Sequence, residues 1–399
     1  MRVLVVAVGS RGDMAPYTGL GAGLVAAGHE VTIAAHPPFE PDIRRAGLGF
    51  AALGGDVRSL VAAPADGRRP SPMLLARRVD QFTRYLRAAA TDAVTAADQG
   101  TDVVLYNSSA LFGQDIADGL RVPGLGVFTQ PIEPTGDFPP ILANSARSLG
   151  RWGNRLSGTL VRRTLVPFRR ASELVRRHYG PRDADRSPTV LHGYSPAVLP
   201  RPADWRAGLD VVGYWWPHQD PTWSPPADLV DFLAAGPTPV FLGFGSMAAG
   251  QGGWLTDLVR DAVRQAGVRA VVRTGWADVD LTGDGILAIG DVPHSWLFPR
   301  MAAVVHHGGA GTTAAALRAD RPSVLTPIYA DQPLWAARVH ALGAGPEPLP
   351  LRRVTASALA TAIRAAITDD RYAAAARRLA DRLAAEDSIS PAVPALGSR

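Results

Sequence analysis

His306–Gln332, HHGGAGTTAAALRADRPSVLTPIYADQ, decides the fold. It follows the apolar run Ala302-Ala303-Val304-Val305, whose length and β-branching predict a buried strand ending at the two histidines. Gly308, Gly309 and Gly311 then allow backbone conformations closed to other residues, and Thr312 and Thr313 are candidate caps for a helix over Ala314–Ala319. Unpaired N–H groups and the positive end of a helix dipole converge above such a turn, which makes it an anion site suited to a diphosphate. Taken alone, a glycine-rich turn serves equally well for close packing of a helix on a strand. A second strand, Ser323-Val324-Leu325-Thr326, ends at Pro327 and carries Asp331-Gln332 to the same edge of the sheet, where ligands of open α/β sheets bind.

The chain has 399 residues, 47% hydrophobic and 19% charged, which suits two globular domains and argues against disorder. It has no cysteine, so disulfide frameworks and thiolate metal sites are excluded. No apolar run reaches membrane-spanning length. The start, Met1–Val8, reads as a buried strand running into Gly9-Ser10-Arg11-Gly12 rather than as a secretion signal, so a cytoplasmic location is expected. The net charge is +5, and every basic residue is arginine. The arginines are dispersed apart from a denser set between Arg147 and Arg186, read first as a solvated helix face and second as a partner surface. No nucleic-acid partner is expected.

From the N-terminus, strand and helix signals alternate: strands at 2–8, Glu30–Ala35, Gly47–Leu53, Asp102–Tyr106 and Gly124–Phe128, with helical patterns between them. Residues 71–98 and 130–180 depart from the repeat and read as amphipathic or arginine-rich helical insertions at the ligand edge. A stretch rich in Pro and Trp marks a linker, and the alternation resumes at Pro239–Phe244, Arg269–Thr274 and Gly285–Ile289. The expected domains are 1–205, a linker at 206–226, and 227–399. The tail from Ser388 is expected to be loose.

Asp13 sits where the first strand's loop meets the crevice. Structurally it reads as a cap for a helix starting near Ala15-Pro16; chemically it is a candidate general base. The run Gly9-Ser10-Arg11-Gly12-Asp13-x-x-Pro16, the signature at 306–332, Leu191-His192-Gly193-Tyr194-Ser195-Pro196, Gly243-Phe244-Gly245-Ser246-Met247 and Val292-Pro293-His294-Ser295-Trp296 together resemble GT-B nucleotide-sugar-dependent glycosyltransferases. The likeness is strongest to those that modify sterols and antibiotic or macrolide aglycones.

That resemblance implies an α/β GT-B fold, with two Rossmann-like doubly wound domains facing each other across a cleft. It implies inverting transfer of a sugar from a UDP- or TDP-sugar, a co-substrate rather than a cofactor, to a hydroxyl of a hydrophobic acceptor such as a sterol or polyketide. Asp13 would be the base. Ser10, Arg11, Gly12, Gly245 and Ala310 would belong to the donor site, with His307, Gly309, Gly311 and Thr312 facing the phosphates and Ser246 the distal one, and Asp331 and Gln332 would bind the sugar. Val292 and His294 would lie near the nucleobase, and Trp276 would either stack there or pack in the core; His294 stands where plant-type relatives carry Gln, which leaves uracil and thymine both open. No acidic metal-binding pair ends a strand, so metal-independent chemistry is expected, with His307, Ser246, the glycine amides and Arg11 facing the phosphate charge. Phe112, Pro131, Phe138 and Trp152 are candidates for an acceptor wall, with core packing as their alternative. A monomer or weak homodimer is expected. The alternative to an active enzyme is a non-catalytic auxiliary partner of such a transferase.

Overall fold

A computed structural model describes residues 1–55, 72–163, 165–180, 187–245, 252–273, 281, 283 and 285–396. Among these residues, twelve strands form two sheets. The first contains β1 Arg2–Val6, β2 Glu30–Ala35, β3 Gly49–Ala52, β4 Val103–Tyr106, β5 Gly124–Phe128, β6 Thr189–His192 and β7 Leu209–Val211, in the order β3-β2-β1-β4-β5-β6-β7. The second contains β8 Val240–Gly243, β9 Ala270–Arg273, β10 Ile286–Ile289, β11 Val304–His306 and β12 Ser323–Leu325, in the order β10-β9-β8-β11-β12. Every strand pair is parallel.

Parallel sheets need both faces covered, and the strands alternate accordingly. In β1, Leu4 and Val6 enter one apolar cluster with the helices at 72–98 and 113–120, while Val3 and Val5 enter another with Tyr17, Leu20 and Leu24. In β8, Val240 and Leu242 face one way and Phe241 the other. Strand order reverses between β1 and β4 in the first sheet and between β8 and β11 in the second. The loops after these strands are the switch points where open α/β sheets bind ligands.

The two halves pack directly. Helix Arg11–Ala26 runs so close to the connecting segment that a Cβ on Gly19 would stand 1.7 Å from the Trp216 carbonyl oxygen. Gly19→Ala is therefore expected to cost about 3 kcal/mol or more, because backbone rather than a flexible side chain must yield. Urea denaturation checks this; a change below about 1 kcal/mol would contradict the close approach.

Two features differ from the sequence reading. β7, inside the stretch expected as linker, is the seventh strand of the first sheet. The end of the chain is packed rather than loose through residue 396, because Ala392 and Leu396 are buried in the cluster around Leu20 and Leu24. Trp215 Nε1 donates to the Ser388 carbonyl at 3.1 Å, and Ser388 Oγ donates to the Tyr214 carbonyl at 2.7 Å. The C-terminal segment thus returns from the second sheet to the first. Among the described residues, no helix is long and apolar enough to cross a membrane.

Candidate active site

The crevice is lined by loops that follow β1, β4 and β5 in the first sheet and β8, β10, β11 and β12 in the second. After β1 the chain turns at Gly9, whose φ of 136° requires glycine and whose missing side chain lets it pass over Asp13; a Cβ there would stand 2.6 Å from Asp13 Oδ2. Helix Arg11–Ala26 starts earlier than the sequence suggests, with Ser10 as its N-cap and Asp13 in the first turn. Asp13 Oδ2 accepts from the Ser10 amide at 2.8 Å and from Ser10 Oγ at 2.9 Å. The capping role offered by the sequence is therefore present, and Ser10 spends its polar groups on Asp13.

The second carboxylate oxygen of Asp13 faces Gln130 Nε2 at 3.5 Å, and Gln130 Oε1 accepts from Ser108 Oγ at 2.8 Å. Burial raises the Asp13 pKa, opposed by the Ser10 amide and hydroxyl, Gln130 and the field of His36. A raised carboxylate is a better proton acceptor than an ordinary one. Gln130 and Ser108 carry no motif and escaped the sequence reading; only their position just after β5 and β4, on the ligand edge, points to them.

Across the crevice, helix Ala310–Arg318 begins at the glycines themselves, with Gly309 as N-cap. Thr312 and Thr313 lie inside its first turn and do not cap it, which corrects the expected start at Ala314; Thr313 is fully buried, whereas Gly311 is exposed and Ala310 and Thr312 are half-buried. The imidazole of His307 fills the space left by two glycines: a Cβ on Gly309 would stand 2.6 Å from Nε2, and one on Gly245 would stand 2.8 Å from Cε1. Its Nδ1 is buried with no hydrogen-bond partner among the described residues.

The His307 pKa is lowered to about 4, chiefly by burial, against support from the Gly243 backbone and reinforced by the charge of Arg273. At neutral pH the ring is uncharged. It can donate a hydrogen bond but brings no full positive charge, so the fixed charge here comes from arginine. Arg11 and Arg273, on opposite sides of the crevice, both bind Asp291, one on each carboxylate oxygen. Arg11 also reaches Asp42 at 3.4 Å. These pairs hold Asp291 below its usual range despite its partial burial. Arg273 and Asp291 are a second omission of the sequence reading.

Asp331 and Gln332 hold their own turn. Asp331 Oδ2 accepts from Trp335 Nε1 at 2.7 Å, and Gln332 Oε1 accepts from the amides of Ile328 at 2.8 Å and Tyr329 at 3.3 Å. The intervening Ala330 sits at φ 61°, a left-handed conformation that costs a non-glycine residue about 1 kcal/mol. Asp331 is pushed up to about 6 by burial, opposed by Trp335 and its own backbone and raised further by Asp13. Tyr329 is pushed up to about 12 by burial and by the charges of Asp13 and Asp331. The base candidate of the first sheet and the acidic residue of the second thus share one electrostatic field.

A raised folded-state pKa on an acid means that the native state holds its proton more tightly than the unfolded chain. The contribution of Asp331 to stability is then greatest below about pH 4 and is lost as pH rises through about 6. Asp331→Asn keeps an oxygen for Trp335 and carries no charge. It is expected to gain up to about 2–3 kcal/mol over the parent at pH 8 and to show no advantage at pH 4. Urea melts at both values test this; equal stability at pH 8 would contradict it.

The remaining candidates sit as follows. His294 stacks on Phe298, with ring centroids 4.3 Å apart and planes 14° apart, and is lowered to about 3 by burial and by Arg273 and Arg11. Val292 is half-buried and Gly12 exposed. Ser246 and Trp276 lie outside the described residues. Phe112 is fully buried, Phe138 is 7% exposed, and both belong to the core cluster; Pro131 is also buried. Trp152 is 79% exposed on the outer side of helix Gly150–Arg163, so it joins neither core nor crevice wall.

Two doubly wound parallel sheets, with their switch-point turns facing over one crevice, define the GT-B architecture. Residues 3–135 match the glycosyltransferase family 28 N-terminal domain, and residues 268–396 match the C-terminal domain of proteins like erythromycin biosynthesis protein CIII. The chain is 35% identical to O-mycaminosyltylonolide 6-deoxyallosyltransferase of Streptomyces fradiae, covering 98% of this chain and 96% of that one. It is 33% identical to a sterol 3-beta-glucosyltransferase of Arabidopsis thaliana over 99% of this chain. It spans 65% of the length of that relative and 27% of a sterol 3-beta-glucosyltransferase of Cryptococcus neoformans. Among solved structures, the glycosyltransferase VinC in complex with dTDP superposes with a TM-score of 0.67 at 22% identity, over 99% of this chain and 98% of that one. The spinosyn rhamnosyltransferase SpnG with spinosyn aglycone gives 0.67 at 23% identity, over 100% of both. The chain belongs to the glycosyltransferase family that these sequence relatives represent.

Proposed function

We propose that the protein transfers a sugar from a TDP- or UDP-linked donor to a hydroxyl of a hydrophobic natural-product or sterol-like acceptor, with inversion and without a metal ion, on the cytoplasmic side where such donors are made. The observation that carries this reading is the pairing of Asp13 at the first sheet's switch point with the Gly245-His307-Gly309 turn at the second. The diphosphate lies over the N-terminus of helix Ala310–Arg318, where amide groups and the neutral His307 ring donate hydrogen bonds to it and Arg273, shared with Asp291, adds its field. Asp331 and Gln332, fixed by their own turn, orient the sugar.

The acceptor oxygen attacks the anomeric carbon as the bond to the diphosphate oxygen breaks. Its proton passes to Asp13, and the nucleoside diphosphate leaves with the bonding pair. Gln130 steadies the Asp13 oxygen that takes the proton. Attack opposite the leaving group inverts the anomeric centre.

The test is turnover in EDTA with TDP-deoxyhexoses and UDP-glucose against macrolide aglycones and sterols, followed by mass spectrometry and by the anomeric proton coupling of the product. Glycoside of inverted configuration is expected. Retained configuration, or an absolute need for a divalent cation, would overturn the mechanism, and donor binding without turnover on any acceptor would favour the auxiliary role.

A further inference from the structure

Helix Gly150–Arg163 carries its amphipathicity inside out. Its inward face is Asn154 and Gly158, both buried. Asn154 Nδ2 donates to the Gly136 carbonyl and to Ser148 Oγ, both at 3.0 Å, and its oxygen accepts from the Leu149 amide at 2.9 Å. A Cβ on Gly158 would stand 3.1 Å from Pro134. On the flanks, Arg151 pairs with Asp137, Arg155 with Asp204 and Arg162 with Glu133, which fixes the helix in rotation. The face turned away from the protein is therefore Trp152, Leu156 and Leu160, four residues apart along the helix and 79%, 42% and 52% exposed, extended by Leu149 at 61%.

Four large apolar side chains in one exposed row are more than scattered surface residues need. The charge around them is predominantly positive, with Asp137, Asp204 and Glu133 each already paired with an arginine of the helix. Residues 147–179 contain nine arginines and one glutamate, and Arg147, Arg163, Arg169 and Arg170, which flank the stripe in sequence, are exposed. The row stands on a convex helix, so it is not a pocket for a small molecule. A second copy seated on it would bring two arginine-rich surfaces together, which like-charge repulsion opposes.

We propose that this helix docks the protein on an anionic lipid surface, with Trp152, Leu156 and Leu160 entering the interfacial layer and the neighbouring arginines meeting the headgroups. An exposed apolar row with a basic surround is the pattern by which a helix lies in such an interface. The helix packs beside Glu133, Pro134 and Gly136, in the segment that follows Gln130, so docking brings the crevice close to apolar molecules dissolved in the membrane.

The test is flotation of the full chain with vesicles of phosphatidylcholine alone and with about one third phosphatidylglycerol. It uses neither donor nor acceptor, so its outcome is independent of sugar transfer. Binding is expected only to the anionic vesicles. The double variant Leu156→Glu, Leu160→Glu is expected to lower partition by about tenfold or more, with the thermal midpoint unchanged because both positions are exposed. A charge variant, Arg163→Glu with Arg169→Glu, is expected to weaken binding in the same sense, and added salt to weaken it further. Absence of binding to either vesicle, or partition of the leucine variant equal to the parent's, would overturn the proposal. So would a dimer in sedimentation that the leucine variant dissociates, because the stripe would then be a contact between copies.

Discussion

Replacing Asp13 by Asn is expected to lower transfer by about 10²- to 10⁴-fold while leaving nucleoside-diphosphate affinity within about twofold. The two consequences separate the roles the residue plays in the structure. Asparagine retains an oxygen that accepts from the Ser10 amide, so the start of helix Arg11–Ala26 is preserved to within about 1 kcal/mol. It lacks a group that takes a proton. The pH profile gives a second reading: burial raises the Asp13 pKa, so the parent's rate should climb with pH through a limb lying above the ordinary carboxylate range, and this limb should vanish in the variant. If Asp13 were only a cap, rate would follow the folded fraction and no limb would disappear. Turnover of Asp13→Asn near the parent's value would remove it as the base.

Gly309→Ala should lower diphosphate affinity by about tenfold to a hundredfold, through the histidine rather than through the fold. The new methyl would stand 2.6 Å from His307 Nε2, a side chain that now fills the space both Gly309 and Gly245 leave open, so the ring has to move to admit it. The imidazole must turn, taking its donor off the diphosphate line. Gly311→Ala is the informative contrast, because a Cβ there meets no atom within 4 Å among the described residues and helix propensity alone predicts a slightly more stable chain. A loss of affinity in Gly311→Ala, with stability retained, puts the ligand directly over the helix N-terminus. Calorimetric titration with TDP and UDP measures both variants, and unchanged affinity in Gly309→Ala would move the diphosphate elsewhere.

The parts of this architecture that repeat locally were legible in the sequence. The β-branched runs at 2–8, 102–106 and 302–305 became the central strands β1, β4 and β11, because a parallel sheet covered on both faces demands uninterrupted apolar residues. The glycines about His307 were legible for a similar reason, since a strand ending in a tight turn leaves few residue choices. What escaped depends on residues far apart in the chain. Asp291 and Arg11 are separated by 280 positions, and no periodicity links them. Gln130 acquires its place only when β5 lies beside β4. Trp152, Leu156 and Leu160 have the spacing of a core-facing stripe, and only Asn154 and Gly158, held against the segment at 134–136, turn that stripe outward. The tail after Ser388 has a loop's composition, yet Ile389, Ala392 and Leu396 supply enough apolar contact to seat it against helix Arg11–Ala26.

Asp13 acts on both Tyr329 and Asp331 across the crevice, so the two sheets share one electrostatic field, and the donor is expected to bind there before any acceptor is present. Titration of the purified chain with TDP, UDP, GDP and NAD in EDTA examines that claim most directly. One site per chain is predicted for TDP or UDP, retained in Asp13→Asn and weakened in His307→Ala, with no response to NAD. Binding of NAD, a strict requirement for a divalent cation, or an affinity that His307→Ala leaves unchanged would contradict it.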